Sequence, residues 1–189
     1  MDRDKIIQAI RQNCPTTKQM PKQFMSSGKQ SDTQLINDFK DCLKQAGAEV
    51  IELDGIDEVA RYMVKQYPGA TDFSNKAAWN RYSQSCSKEN LDKLEIILLN
   101  GQFGVAENGA IWLDDTDYPN RLIPFITKQM FIKLDSEQIV GHMHEAYDRI
   151  SLKNTGFGVF ISGPSKTADI EQSLVYGAHG AIEHTILLY

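Results

Sequence analysis

A chain of 189 residues, 41% hydrophobic and 24% charged, has the makeup of one folded globular domain with a sizeable core. Its net charge of −5 and pI near 5.4 exclude a surface of clustered Lys and Arg for phosphate backbones, so no nucleic-acid partner is expected. No apolar run nears the roughly 20 residues of a membrane-spanning helix, and residues 1–5 lack the apolar core of a secretion signal, which predicts a cytoplasmic protein without a membrane span.

The three cysteines, Cys14, Cys42 and Cys86, are far apart and form no CxxC pair. They read as reduced thiols and give no support to a zinc or iron–sulfur site in this chain.

In chain order, residues 2–12 place Ile6, Ile7 and Ile10 at helical spacing, which predicts a short amphipathic helix. Residues 13–30, with Pro15, Pro21 and Gly28, read as a linker. The expected division is thus an N-terminal helix and linker over 1–30 and an α/β domain over 31–189. Ser31 and Asp32 cap a helix carrying Leu35, Ile36, Phe39, Leu43 and Ala46, ended by Gly47. A strand over 49–53 follows, then a helix through Ile56, Val59, Ala60, Met63 and Val64. That alternation predicts an α/β fold, an open, mostly parallel sheet flanked by helices.

Residues 69–93 carry little pattern beyond Trp79 and Tyr82. Strands are expected over 94–99 and 110–113, joined through the turn Gly104-Val105-Ala106-Glu107-Asn108-Gly109. Asp114, Asp115, Thr116, Asp117 and Pro119 read as an acidic surface loop. Two more strands are expected over 122–126 and 130–134, and a helix over 135–150 with Met143, Ala146 and Tyr147 inward. Residues 157–162 read as a buried strand ended by Gly163-Pro164. A helix capped by Thr167 is then expected to run to Gly177, with a last strand over 185–188.

Several side chains are candidates for chemistry. Glu107 sits on glycine-framed backbone that lets a ligand approach closely, as a nucleophile or general base would require; it reads equally as a turn carboxylate, since Asn108-Gly109 makes hairpins. The 162–169 loop offers Ser162, Gly163, Ser165, Lys166, Thr167 and Asp169 to a phosphate or carboxylate, or is a capped turn without a ligand. It lacks the spacing of both the Walker and the dinucleotide fingerprints. His179 in Gly177-Ala178-His179-Gly180 can pair with Glu107 to handle protons near neutral pH, or is a surface histidine. Arg121 can clamp a substrate carboxylate or form a surface ion pair. His142 and His144 fall two apart on the expected helix, on different faces, and are set aside as metal ligands. We expect the Glu107 turn and the 162–169 loop to meet.

Taken together, the runs 104–110, Arg121 with Leu122-Ile123-Pro124, Ser162-Gly163-Pro164-Ser165-Lys166-Thr167-Ala168-Asp169-Ile170-Glu171 and 177–180 resemble the lactate-utilisation (LUD) domain family, which includes lactate utilization protein C. The resemblance spans about residues 30–189. It implies an α/β fold related to the sugar-phosphate isomerase and CoA-transferase group. It also implies a place in a system that oxidises lactate to pyruvate with iron–sulfur partner subunits. Where relatives have Glu-Thr-Gly-Thr this chain has Glu107-Asn108-Gly109-Ala110, and Ala181 replaces a proline. The Glu-Asn-Gly turn is similar to the one that carries the nucleophilic glutamate of class I CoA-transferases. The resemblance makes Glu107 and His179 the catalytic candidates, with Asn108, Gly109, Arg121 and the 162–169 residues around a small-molecule substrate. A homo-oligomer is compatible with this, and no cofactor follows from the residues.

Overall fold

The computed structural model describes residues 3–13, 31–83, 85–150, 156–167, 175–177 and 180–189. Helix α1 (Arg3–Gln12) precedes α2 (Asp32–Ala46), whose ends match their local signals. The Ser31 side chain accepts the Gln34 N–H, and Gly47, at φ 85°, donates its N–H to the last carbonyls of the helix. Strand β1 (Glu49–Glu52) and α3 (Ile56–Gln66) follow, as the alternation predicts.

Among the described residues the main sheet has five strands, every neighbouring pair parallel, in the order β1, β11 (Glu183–Leu188), β6 (Gln129–Leu134), β3 (Ile96–Asn100), β2 (Thr71–Asp72). It is the open, mostly parallel, helix-flanked sheet expected. On one face, Val59 and Met63 of α3 pack on Leu98, Phe131 and Leu187. On the other, Phe39 and Leu43 of α2 share a core with Ile132, Leu134, Ile186 and Leu188. A second sheet completes that layer, in the order β7 (Ile139–Val140), β4 (Phe103–Val105), β5 (Ala110–Asp114), β8 (Gly158–Ile161). Ile111 and Leu113 of β5 reach into the shared core, whereas Trp112 lies on the opposite face with Phe103 and Phe160.

Several expectations are corrected. Residues 123–126 form a helical turn, α5 (Ile123–Ile126), because Pro124 in its first turn has the helical φ and no N–H to lose. The expected helix over 135–150 divides: Ile139-Val140 pair with β4 as strand β7, and Gly141 separates them from α6 (Met143–Arg149), on which Ala146 is buried and Tyr147 exposed. The acidic loop keeps Thr116 exposed and Asp115 and Asp117 half-buried, but it is anchored in the core at three points. Asp114, Tyr118 and Asn120 are buried, and the side-chain amides of Asn100 and Gln102 donate to Asp117. Burial raises the Asp117 pKa against the lowering pull of those amides. The 157–162 strand is half-buried and antiparallel, at the edge of the second sheet rather than in the parallel one.

The expected helix from Thr167 to Gly177 is corrected at its two ends, while its middle, residues 168–174, lies outside the described residues. Lys166-Thr167 (β9) pair antiparallel with Val175-Tyr176 (β10), so Thr167 is no N-cap. A β-branched and an aromatic residue favour that ladder. Residues 69–93 hold β2, a 3-10 helix over Lys76–Tyr82 and α4 (Lys88–Leu91).

Candidate functional site

Antiparallel pairing of β5 with β8 sets Ile161 against Ile111, so the residues after β8 come to the turn before β5. There the Ser162 hydroxyl donates to the Asn108 carbonyl at 2.9 Å. The Glu107 turn and the 162–169 loop therefore meet, as expected.

Both rest on the last two turns of α2. The Cys42 thiol donates to the Glu107 carbonyl at 3.6 Å. A Cβ on Gly109, whose φ is 67°, would stand 2.9 Å from the Leu43 nitrogen. One turn on, a Cβ on Gly163, at φ 73°, would stand 2.5 Å from the Ala46 carbonyl oxygen. These two glycines are required, since a side chain would meet helix backbone and the conformation is left-handed. Ser165 joins the loop to the start of β11, its N–H donating to Ala181 at 2.8 Å and its carbonyl accepting from Gly177 at 3.0 Å.

Glu107 is held from the opposite side. Parallel pairing of β4 with β7 continues past the strands as Ala106 and Glu107 N–H groups donate to Val140 and Gly141. That register brings the Glu107 carboxylate to the start of α6. Oε1 accepts the Met143 N–H at 3.0 Å, and Oε2 lies 2.9 Å from His142 Nδ1. Both side chains keep solvent contact, Glu107 39% exposed and His142 43%. Partial burial pushes the Glu107 carboxyl up. The His142 ring, the Met143 N–H and the charges of His142 and His144 outweigh this and hold it below the ordinary carboxylate range. In the neutral ring, an ionised carboxylate on Nδ1 assigns the hydrogen to Nδ1 and leaves Nε2 as an acceptor; in the imidazolium both nitrogens carry hydrogen. The pair can therefore orient an imidazole for proton transfer.

The other candidates divide. Asn108 Oδ1 accepts the Ala110 N–H at 3.0 Å, closing its own turn. Lys166 and Thr167 stand on the β9–β10 ribbon, and the Lys166 ammonium lies beside Gly47 at the end of α2. Arg121 belongs to another cluster: it pairs with Asp115 at 3.0 Å and lies over the Phe157 ring at 5.6 Å. β5 separates that cluster from the Glu107 turn by roughly 15 Å, at about 3.4 Å per residue. His179 and Asp169 lie outside the described residues.

His142 is the residue that sequence reasoning missed. The expected helix over 135–150 sets it in mid-helix, whereas Gly141 delays the helix start to Met143 and leaves His142 extended at φ −132°. The available signal was the Val140-Gly141-His142 run, a strand end followed by a breaker. His184, expected to start the last strand, lies just inside its start at Glu183 and is buried. Burial pushes its pKa down to about 4; the Gly163 backbone stands beside the ring with a weaker upward pull, short of a formed hydrogen bond. Among the described residues no group of three His, Cys, Asp or Glu side chains is placed to hold a metal ion, and no helix is long and apolar enough to cross a membrane.

Fold and site together define an α/β protein with a glutamate–histidine pair at the rim of its second sheet. The family model of the LUD domain matches residues 68–189, and the chain belongs to that family. The match is shorter than the 30–189 over which the sequence resemblance is read. Lactate utilization protein C of Shouchella clausii is 27% identical over 152 residues, 75% of this chain and 66% of that protein. Lactate utilization protein C of Oceanobacillus iheyensis is 25% identical over 125 residues, 61% of this chain and 54% of its own length. An uncharacterized protein of Neisseria meningitidis serogroup B is 36% identical over 89 residues, 46% of this chain and 38% of its own length. The chain thus spans less than two thirds of these relatives. The crystal structure of a DUF162 family protein from Deinococcus radiodurans at 1.70 Å shares the fold, with a TM-score of 0.65 at 17% identity over 85% of this chain and 99% of that one.

Proposed function

We propose that this chain serves lactate utilisation as a subunit whose small-molecule site is built on Glu107 and His142, beside the 162–169 loop. Relatives named lactate utilization protein C support the process. The observation that carries the site is the Glu107 carboxylate fixed by the His142 ring at 2.9 Å and the Met143 N–H at 3.0 Å. Oxidising a 2-hydroxy acid to a 2-oxo acid removes two electrons and two protons, one of them from the hydroxyl group. In this reading His142 Nε2 accepts the hydroxyl proton, and Glu107 holds the ring and stabilises the imidazolium that results. The C2–H bond breaks as well: its proton passes to water, and the electron pair leaves one electron at a time to iron–sulfur partner subunits, this chain carrying no cluster of its own. In the same reading the Ser162 hydroxyl, which reaches the Asn108 carbonyl of the Glu107 turn, and Ser165 are offered to the substrate's polar groups.

The alternative, acyl transfer through Glu107 as nucleophile, has less support. Both carboxylate oxygens are engaged, and a carboxyl held below its ordinary range is a weaker nucleophile. The test is growth of the native host on L-lactate after deletion of the gene, with wild-type, Glu107→Gln or His142→Ala copies restored. Wild type alone restoring growth supports the oriented-base reading. Restoration by both variants makes the chain a non-catalytic assembly subunit. Normal growth of the deletion strain refutes a role in lactate utilisation. A CoA adduct on Glu107 after incubation with acyl-CoA would establish the transferase reading.

A further inference from the structure

The sequence holds two Asn-Gly pairs, Asn100-Gly101 and Asn108-Gly109. Such a pair carries a chemical liability of its own, because glycine leaves the nitrogen that follows the asparagine unshielded. That nitrogen attacks the side-chain Cγ, the bond from Cγ to the amide nitrogen breaks, and ammonia leaves. Water then opens the five-membered imide at either carbonyl, giving aspartate or isoaspartate. No reactant besides water is needed.

The fold treats the two pairs differently. Asn100 ends β3, and its side-chain amide is turned to Asp117 at 3.4 Å. Gly101 is buried, and its N–H donates to Lys133 of β6 at 2.9 Å. A Cβ there would stand 2.7 Å from the Ile111 side chain, so this peptide has no room to rebuild. Asn108, by contrast, is exposed. Its Oδ1 accepts the Ala110 N–H at 3.0 Å, an Asx turn that folds Cγ back over the intervening Gly109 nitrogen. A backbone bond inside the turn, to the Val105 carbonyl at 2.9 Å, holds that nitrogen. Substitution offers no escape, since the left-handed Gly109 packed on α2 admits no side chain.

We propose that Asn108 is a deamidation site of the folded protein, that Asn100 is protected, and that Ser162 sets the rate at Asn108. Closing the imide requires the peptide between Asn108 and Gly109 to rotate. The Ser162 hydroxyl donates to the oxygen of that same peptide at 2.9 Å. Either product disturbs the Glu107 turn. Aspartate sets a second carboxylate beside Glu107 and draws its pKa upward. Isoaspartate adds a methylene to the main chain, which lifts Gly109 from its fit against Leu43.

The test compares the full chain folded and in guanidinium chloride, at mildly alkaline pH in heavy-oxygen water, which labels only conversions made during the incubation. Cleavage at glutamate then separates the peptides on either side of Glu107 for mass spectrometry. In the folded chain Asn108 should convert at least about tenfold faster than Asn100, and in guanidinium the two rates should come together. Ser162→Ala should speed Asn108 about fivefold, the worth of one net hydrogen bond, and leave Asn100 unchanged. Equal rates in the folded chain, or an Asn100 that converts first, overturn the proposal. So does a Ser162→Ala chain that deamidates with wild type, or an Asn108 left intact when the unfolded chain has converted. Aspartate formed with no isoaspartate would overturn the imide route.

Discussion

Glu107 Oε2 and His142 Nδ1 stand 2.9 Å apart although 35 positions separate them in the chain. The same carboxylate receives the Met143 N–H, so one side chain orients a ring and caps α6. Glu107→Ala removes both contacts and should cost about 1 kcal/mol, and Glu107→Gln, which keeps an acceptor for Met143, less than half that. Urea denaturation compares the two. Equal losses would mean that the cap contributes nothing. With its carboxyl held below the ordinary range, Glu107 contributes stability above that range and loses it as pH falls through the folded value; at 39% exposure, screening keeps this small.

His184 sets a second acid limit at higher pH. Its folded pKa of about 4 lies below the ordinary 6.5, so the unfolded chain takes up the proton first. Stability is complete above pH 6.5 and falls as pH drops toward 4, by about 3 kcal/mol for this one group. His184→Leu cannot take up that proton, so the slope of unfolding free energy between pH 6.5 and 4 should flatten. An unchanged slope in the variant would assign the acid sensitivity to other groups.

Gly163→Ala should destabilise the chain by about 2 kcal/mol, since a left-handed residue gains a Cβ and that Cβ meets the Ala46 carbonyl oxygen. For a chain of this size that lowers the melting temperature by roughly 4–8 °C. A variant melting with wild type would mean that the loop moves off α2 without loss.

Arg121→Ala should change stability by less than about 1 kcal/mol, because its pair with Asp115 is half-exposed. It should also leave growth on lactate unchanged, as β5 stands between Arg121 and the Glu107 turn. A growth defect with an unaltered melting temperature would return Arg121 to the substrate.

The parts of the fold written in adjacent residues were legible. Ser31 and Gly47 bound α2 because caps act over four residues, and the 94–99 and 130–134 strands need only an apolar run between turns. That the Glu107 turn meets the loop after β8 was anticipated, though neither the Ser162–Asn108 contact that joins them nor its cause, the register of β5 with β8. The His142 pairing stayed hidden because it follows from β7, two residues long and recognisable only once β4 lies beside it. Lys166-Thr167 misled for a related reason: the partner strand Val175-Tyr176 is too short to signal itself. Short strands take their identity from neighbours distant in sequence.

Strand β11 lies between β1 and β6, yet it follows both in the chain. During synthesis β1, β6 and β3 leave the ribosome with the slot for β11 vacant. Until residues 183–188 arrive, β1 has no partner and the long edge of β6 is exposed to other chains. The five-stranded sheet is thus completed by insertion rather than growth from one end, and its exposure to aggregation and to chaperones is concentrated in the interval before β11 emerges.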